Sequence, residues 1–231
     1  MHDAAVDDET ILRLSIDAKA TVKVGPFSRK GKSRTSVNAA DHDFKPEATM
    51  TPFGIYLPDF GELFLYMTTS KVTSDFMVDA LDAFWAAVRN RFPKVTTLLI
   101  NADNGPETHS RRTQLMNRFV AFADQQQLTL QLAYYPPYHS KYNPRPKGTR
   151  RIWGGLEQHW NGSLLDSINT VLAFARTFTW RTHKPVVTLV ERTYETGAKL
   201  SQQAMTQLEQ RFKRLDGLEK WFVTISPIPS T

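Results

Sequence analysis

No cysteine occurs anywhere in the chain. Disulfides, thiolate metal sites and cysteine nucleophiles are therefore excluded, and the composition fits a reducing cytosol. The sequence also lacks any apolar run near the roughly 18 residues of a membrane span. Its acidic start, MHDAAVDDETI, has no apolar segment of the kind that a signal peptide needs. We therefore predict a protein without a membrane partner.

Acidic residues are missing from one long stretch, since no Asp or Glu occurs between Asp124 and Glu157. Over the whole chain, 29 Lys and Arg outnumber 23 Asp and Glu, which gives a net charge of +6. A basic balance favours polyanion binding without establishing it. The length of 231 residues and the 41% hydrophobic content predict one globular domain with a substantial core.

The order of predicted elements indicates an α/β fold. Alternating apolar and polar residues predict a strand region over 11–24. A hairpin of two strands is predicted over 51–69, and a helix with Thr73 or Ser74 as its N-cap is predicted over 74–92. The later segments predict strands over 95–100, 128–133 and 221–225, and helices over 111–126, 152–160, 164–178 and 201–215. A short extension is predicted over 185–192. This order suits a mixed sheet with helices on both faces, and a generic doubly wound fold also fits it.

Two aspartates lie at strand positions that favour a functional role for their carboxylates. Asp17 lies within the first strand region, where Asp is disfavoured. Asp103 follows the buried strand in the sequence NADNGPE, and open α/β sheets place their sites at such strand ends. Asp17 could instead pair with Lys19 or Lys23 on an exposed face, and Asp103 could cap the next helix. If their strands are neighbours, the two carboxylates lie at one sheet edge and can bind Mg²⁺.

Two loops have distinctive compositions. The segment 28–34, SRKGKSR, has four cations in seven residues and is either a solvated loop or a phosphate-contacting one. The segment 134–144, YYPPYHSKYNP, contains prolines that exclude a regular helix or a central strand. We therefore predict a rigid, aromatic turn at the sheet edge, although an ordinary proline-rich loop has the same spacing.

The second loop resembles the Y-x-P-x-x-S-x-x-N-P-I-E run of mariner-like insertion-sequence transposases. The other matching segments occur in the expected order, at 15–19, 25–34, 41–44, 51–55, 101–107 and 153–162. Together they make the chain similar to the Rhodopirellula transposase DDE domain. The resemblance implies an α/β fold with a ribonuclease-H-like mixed sheet and helices on both faces.

The resemblance also implies a catalytic core that cuts and joins DNA strands with Mg²⁺ or Mn²⁺. It makes Asp17 and Asp103 the first two catalytic and metal-binding acids, implies transposon ends and target DNA as partners, and allows a homodimer. We expect a cytoplasmic, nucleoid-associated bacterial protein, with residues 1–10 as a short acidic tail and 11–231 as the catalytic domain. The predicted DNA-contacting residues are Arg29, Lys30, Lys32, Arg34, His139 and Lys141.

The sequence departs from the family in two ways. Only about ten residues precede the first predicted strand, where the family has a helix-turn-helix region, so we expect a truncated copy. After Asn143 and Pro144 the expected Ile-Glu is replaced by RPKGT, and the pattern resumes at Arg150. The third acid is therefore missing, and we expect an inactive copy. Glu157 is the nearest downstream carboxylate and therefore the candidate replacement. Its position, one helical turn after Trp153, is better explained by a structural or surface role.

Three functions compete on this sequence. The first is a transposase core, and the second is a DNA-binding remnant without catalysis that could interfere with intact transposase by dimerising or coating ends. The third is a ribonuclease-H-like nuclease with another role. Metal-dependent nicking of plasmid DNA separates the second from the other two, and specific cleavage at an insertion-sequence end separates the first from the third.

Overall fold

The structure is a computed structural model that describes residues 8–27, 45–103, 113–135, 148–196 and 200–229. The strands in these ranges are β1 (Ile11–Ala18), β2 (Val22–Val24), β3 (Ala48–Leu57), β4 (Glu62–Thr68), β5 (Thr97–Asp103), β6 (Thr129–Tyr135), β7 (Val186–Val190), β8 (Phe212–Arg214) and β9 (Phe222–Ile225). The helices are α1 (Ser74–Val88), α2 (Thr113–Gln126), α3 (Gly148–His159), α4 (Ile168–Thr177) and α5 (Gln202–Glu209). None of these helices has the length and apolarity to cross a membrane.

The strands form one mixed sheet in the order β7-β4-β3-β1-β5-β6-β9-β8, with β2 paired to β3 off this path. The β3 strand is antiparallel to both β1 and β4, whereas β1, β5 and β6 are parallel neighbours. Beyond this centre, β7 lies parallel to β4, and the β8–β9 hairpin extends the sheet past β6. The predicted ribonuclease-H-like mixed sheet is confirmed.

Helices cover both faces of the sheet because apolar side chains are buried on each of them. On one face, Leu12, Leu14 and Ile16 of β1 belong to a core cluster that includes residues of α1 and α2. On the other face, Leu63 and Leu65 of β4 belong to a second cluster that includes residues of α3 and α4. The prediction of helices on both faces is therefore confirmed, and the sheet edge that carries Asp17 is held between two packed layers.

The elements with the strongest sequence patterns are confirmed, although α1 ends at Val88 and not at the predicted residue 92. The hairpin forms from β3 and β4, and its turn has Gly61 at a φ of 72°, a conformation that glycine adopts without steric cost. In α1 the Thr73 hydroxyl accepts a hydrogen bond from the Phe76 N–H at 3.2 Å, which caps the helix as predicted. The predicted apolar stripe is buried, namely Met77, Leu81, Phe84, Trp85 and Val88.

Helices α3 and α4 begin at Gly148 and Ile168, whereas their predicted starts are 152 and 164. Three other segments differ more from their predictions. The strand region 11–24 is two strands, because β1 pairs with β5 and β3 whereas β2 pairs with β3 alone. The extension at 185–192 contains β7, which gains its pairing from β4. The helix predicted over 201–215 ends at Glu209, and residues 212–214 form β8. A turn with Gly217 at a φ of 77° lets β8 pair with β9, and this pairing outweighs the helical pattern.

The C-terminal hairpin is attached to α2 by one bidentate ion pair. Arg211 donates from Nη1 to Oδ2 of Asp124 at 3.0 Å and from Nη2 to Oδ1 at 2.7 Å. The backbone N–H of Ile228 also donates to Asp124 Oδ1, at 2.8 Å. These bonds hold the pKa of Asp124 below its usual range, with the Arg211 hydrogen bond as the largest cause and burial opposing it.

Replacing Asp124 with Asn should lower the free energy of unfolding at pH 7 by about 1 kcal/mol, the scale of a partly exposed bidentate pair. Because the folded-state pKa is depressed, this stabilisation is present above the unfolded value of about 3.9 and is lost as pH falls through the folded pKa. Urea unfolding at pH 7 and pH 3 measures both effects. Asp216→Asn, in the exposed β8–β9 turn, is the control, and an equal loss at the two pH values for Asp124→Asn would contradict the assignment.

Candidate active site

Asp17 and Asp103 lie at the same end of two neighbouring strands. The β1 and β5 strands are parallel, and their last matched pair is Ile16 with Ala102. The next residue on each strand is Asp17 and Asp103, and adjacent strands lie about 4.8 Å apart. Asp17 is thus near the end of β1 and not in the middle of one long strand over 11–24, because regular strand structure stops after Ala18. The two backbones meet at the carboxyl edge of the parallel strands.

The Asp17 side chain is half-buried beneath α3. The indole N–H of Trp153 donates to Oδ2 of Asp17 at 2.9 Å, and Trp153 itself is 8% exposed. Trp153 lies among buried neighbours of α3, including Ile152 and Leu156, in the core cluster of that face. Because the ring is held by this packing, the hydrogen bond ties Asp17 to a rigid part of the fold.

Glu157 contacts a buried lysine. The Lys19 side chain is only 6% exposed, and its Nζ forms an ion pair with Oε1 of Glu157, whose own side chain is 51% exposed. The other oxygen, Oε2, accepts the indole N–H of Trp160 at 3.0 Å. Lys19 Nζ also lies 5.6 Å from the centre of the Trp160 ring, within cation–π distance. Both oxygens of Glu157 therefore already accept hydrogen bonds from the chain.

These contacts give α3 a fixed alignment along β1. Trp153 and Glu157 are one helical turn apart, about 6 Å of rise, and their partners Asp17 and Lys19 are two residues apart on an extended chain, about 6.6 Å. One turn of α3 therefore spans about the same distance as the chain from Asp17 to Lys19. Thr149 lies four residues before Trp153, so it is one turn further along α3 in the direction away from Glu157.

Several predicted site residues fall outside the described residues. These are the DNA-contacting candidates Arg29, Lys30, Lys32, Arg34, His139 and Lys141. For Asp103 the structure describes the strand position but not the side chain. The described side chains therefore bring together Asp17, Lys19, Trp153, Glu157 and Trp160.

A divalent cation is compatible with the oxygen atoms at this edge. The described side chains include no group of three or more His, Cys, Asp or Glu that could hold a metal. Mg²⁺ nevertheless commonly binds proteins through one or two carboxylates and keeps several waters. Asn101, two residues before Asp103, donates to the Leu14 carbonyl at 3.1 Å, while its buried Oδ1 has no hydrogen-bond partner among the described residues. Such an oxygen can accept a hydrogen bond from a metal-bound water, so the residues present fit a hydrated hard cation.

The sequence prediction missed the roles of Lys19, Trp153 and Trp160. The signal in the sequence that could have found them is the spacing of Trp153, Glu157 and Trp160, which places three side chains on one face of a helix. Asp17 and Lys19, two residues apart, likewise share one side of an extended chain. The pairing of these two sets could not be read from spacing, because 138 residues separate Lys19 from Glu157.

Replacing Glu157 with Gln should destabilise the fold, because it removes the negative charge that faces the buried Lys19 ammonium. We expect the free energy of unfolding to fall by about 1–3 kcal/mol, between the values for exposed and buried pairs. Urea unfolding at pH 7 measures it. The matched control is Glu9→Gln, which breaks a pair with Lys94 in which both side chains are more than 70% exposed. Equal decreases in the two variants would contradict a structural role for Glu157.

Comparison with known proteins gives one extensive match. The family model for the Rhodopirellula transposase DDE domain matches residues 2–227. Among curated protein sequences no relative matches at a significant level.

Solved structures give distant likenesses. The Mos1 transposase paired-end complex with left transposon end is 12% identical, with a TM-score of 0.45 over 69% of this chain and 45% of that one. The Mos1 mariner paired end complex with Mn is 11% identical, with a TM-score of 0.44 over 69% and 45%. The Mos1 Strand Transfer Complex is 12% identical, with a TM-score of 0.40 over 71% and 44%. The chain thus spans less than half the length of these proteins. Because the family model covers nearly the whole sequence, the chain belongs to the Rhodopirellula transposase DDE domain family.

Proposed function

We propose that this chain is the catalytic domain of an insertion-sequence transposase that acts on DNA, with Asp17 and Asp103 as its metal-binding acids. The observation that carries the proposal is the β1–β5 register, which brings the two aspartates to one edge of the sheet. Membership of a DDE transposase family supports the same function. Transposon ends and target DNA are then its substrates.

The carboxylates of Asp17 and Asp103 would hold Mg²⁺ or Mn²⁺. When bound, such ions activate an attacking oxygen and stabilise a leaving oxygen of a phosphodiester. The described residues provide the surroundings for this site. Trp153 fixes one oxygen of Asp17, and Glu157 neutralises the Lys19 charge two residues further along the chain. The buried Oδ1 of Asn101 offers a further acceptor.

The missing third acid limits catalysis in this proposal. The structure supports a specific position for it, because α3 begins at Gly148 and Thr149 lies one turn before Trp153. Replacing residues 145–149 by Ile-Glu, as the family pattern requires, also places the Glu four residues before Trp153. The sequence pattern and the helix therefore agree on the same turn. Glu157 lies one turn after Trp153, where it neutralises Lys19.

A DNA-binding remnant without catalysis is the second candidate function. It is favoured by the Glu157 geometry, because both oxygens of this carboxylate are engaged by Lys19 and Trp160. On this alternative the chain binds DNA and does not cut it.

The test is metal-dependent nicking of supercoiled DNA. The full chain, a repaired chain with 145–149 replaced by Ile-Glu, and a Thr149→Glu chain are compared in Mg²⁺. Both altered chains should nick DNA at least about tenfold faster than the original, since the loss of groups that support a metal site typically costs 10–100-fold. Adding Asp103→Ala to the repaired chain should abolish the gain.

Two results would contradict this assignment. A repaired chain that is folded, binds DNA and remains inert would favour the DNA-binding remnant. An original chain that already nicks DNA, and that no longer does so after Glu157→Gln, would make Glu157 the third ligand.

The basic segment 28–34 should bind the DNA backbone. Changing its four cations to Gln should weaken binding to every DNA sequence. It should also reduce the slope of log affinity against log salt by about 0.9 for each phosphate that the protein no longer neutralises, or about 3–4 in all. Fluorescence anisotropy of a labelled duplex over a range of NaCl concentrations measures the slope.

The control for this variant makes the same charge change elsewhere. Four exposed lysines serve, namely Lys71, Lys184, Lys213 and Lys220. Changing them to Gln should leave the slope within about one unit of the original. If the two quadruple variants have the same slope, the segment 28–34 is only a solvated loop.

A further inference from the structure

The indole of Trp153 is placed to orient the Asp17 carboxylate. Its single N–H donor lies 2.9 Å from Oδ2 of Asp17. A buried indole N–H normally has one acceptor, and removing that acceptor is costly. The hydrogen bond therefore selects one oxygen of the carboxylate and restrains its rotation about the Cβ–Cγ bond.

A glycine on the neighbouring strand makes room for this indole. Gly54 of β3 is paired with Asp17 across the ladder. A Cβ atom at Gly54 would lie 2.9 Å from Cη2 and 3.1 Å from Cζ2 of Trp153, distances too short for carbon atoms in contact. Gly54 does not have a positive φ, so its backbone conformation does not require glycine. Glycine is required at this position because the Trp153 ring approaches the backbone closely.

The helix that carries the indole is fixed on both sides of the hydrogen bond. Ile152 and Leu156 are fully buried beside Trp153. One turn further on, Glu157 binds Lys19 and anchors α3 to the chain just beyond β1. Moving the Trp153 ring away from Asp17 would therefore disturb both this packing and the ion pair. The donor is preorganised before any cation binds.

We propose that Trp153 is a positioning residue that presents the Asp17 carboxylate to a divalent cation, with Gly54 as the space its ring requires. The inference rests on the proposed metal-binding role of Asp17. The hydrogen bond to Oδ2 sets the plane of the Asp17 carboxylate, and that plane decides the direction from which a cation meets its oxygens. Residues that orient metal ligands in this way typically change metal affinity by about 10–100-fold when they are mutated.

The test is Mn²⁺ affinity, measured on the full chain by electron paramagnetic resonance. Trp153→Phe keeps an aromatic ring and removes the N–H donor, and it should raise the Kd for Mn²⁺ by about 10–100-fold. Trp180→Phe is the matched control, because Trp180 packs against the same core and its buried indole N–H has no hydrogen-bond partner within the described part of the chain. It should leave the Kd within about twofold. Circular dichroism verifies that both variants are folded.

A second measurement follows the indole itself. The chain has five tryptophans, and the indole ¹⁵N–¹H signal of Trp153 is identified by its disappearance in Trp153→Phe. This signal should shift in Asp17→Asn and should shift again when Mg²⁺ is added to the unaltered chain. If Trp153→Phe does not fold, the Mg²⁺ titration decides. The indole signal altered by Asp17→Asn must then also move with Mg²⁺, and a signal that stays in place overturns the inference.

The outcomes separate this inference from the proposed function. If Asp17→Asn weakens Mn²⁺ binding and Trp153→Phe does not, the metal site stands and the positioning role is wrong. If Asp17→Asn binds Mn²⁺ as tightly as the original chain, the proposed metal site is wrong and Trp153 makes only a structural hydrogen bond. Weakened binding in both variants, with Trp180→Phe unchanged, supports the inference.

Discussion

A buried ammonium group determines how α3 lies on the sheet. The Lys19 side chain is almost wholly removed from solvent, and an unpaired charge in such a place costs several kcal/mol. Glu157 supplies the opposite charge from α3, and Trp160 holds the second oxygen of that carboxylate. Once this pair is made, Trp153 has to lie one turn earlier, above Asp17. The geometry of the candidate site thus depends on an ion pair whose members contribute to stability and not to the proposed chemistry.

The pairing and packing of the sheet restrain the positions of the site residues. Strand β1 is paired with β5 on one side and β3 on the other, and its apolar residues pack into the core cluster that includes α1 and α2, so it cannot shift without breaking these contacts. A slip of one residue would move every buried side chain of β1 to the other face. The apolar residues of β1 therefore fix the register that places Asp17 level with Asp103.

Sequence reasoning predicted the parts of the fold that depend on neighbouring residues. The α1 stripe and the β3–β4 hairpin have strong local patterns, and both are present. The end of α5 and the start of β8 were wrong because β8 forms only where β9 is available to pair with it. For the candidate site, the motif order predicts Asp17 and Asp103, but Trp153 and Lys19 gain their partners from residues 136 and 138 positions away. Local periodicity carries no information about such pairings.

The distance in sequence between Trp153 and Asp17 has a consequence for folding. Contacts between remote residues form after local ones, because closing a long loop costs chain entropy. Strand β1 is enclosed by β3 and β5, whose residues all precede α3 in the chain. During synthesis these central strands leave the ribosome before α3 does. The strands around Asp17 are therefore available before α3, and the indole can reach Asp17 only once this part of the sheet has formed.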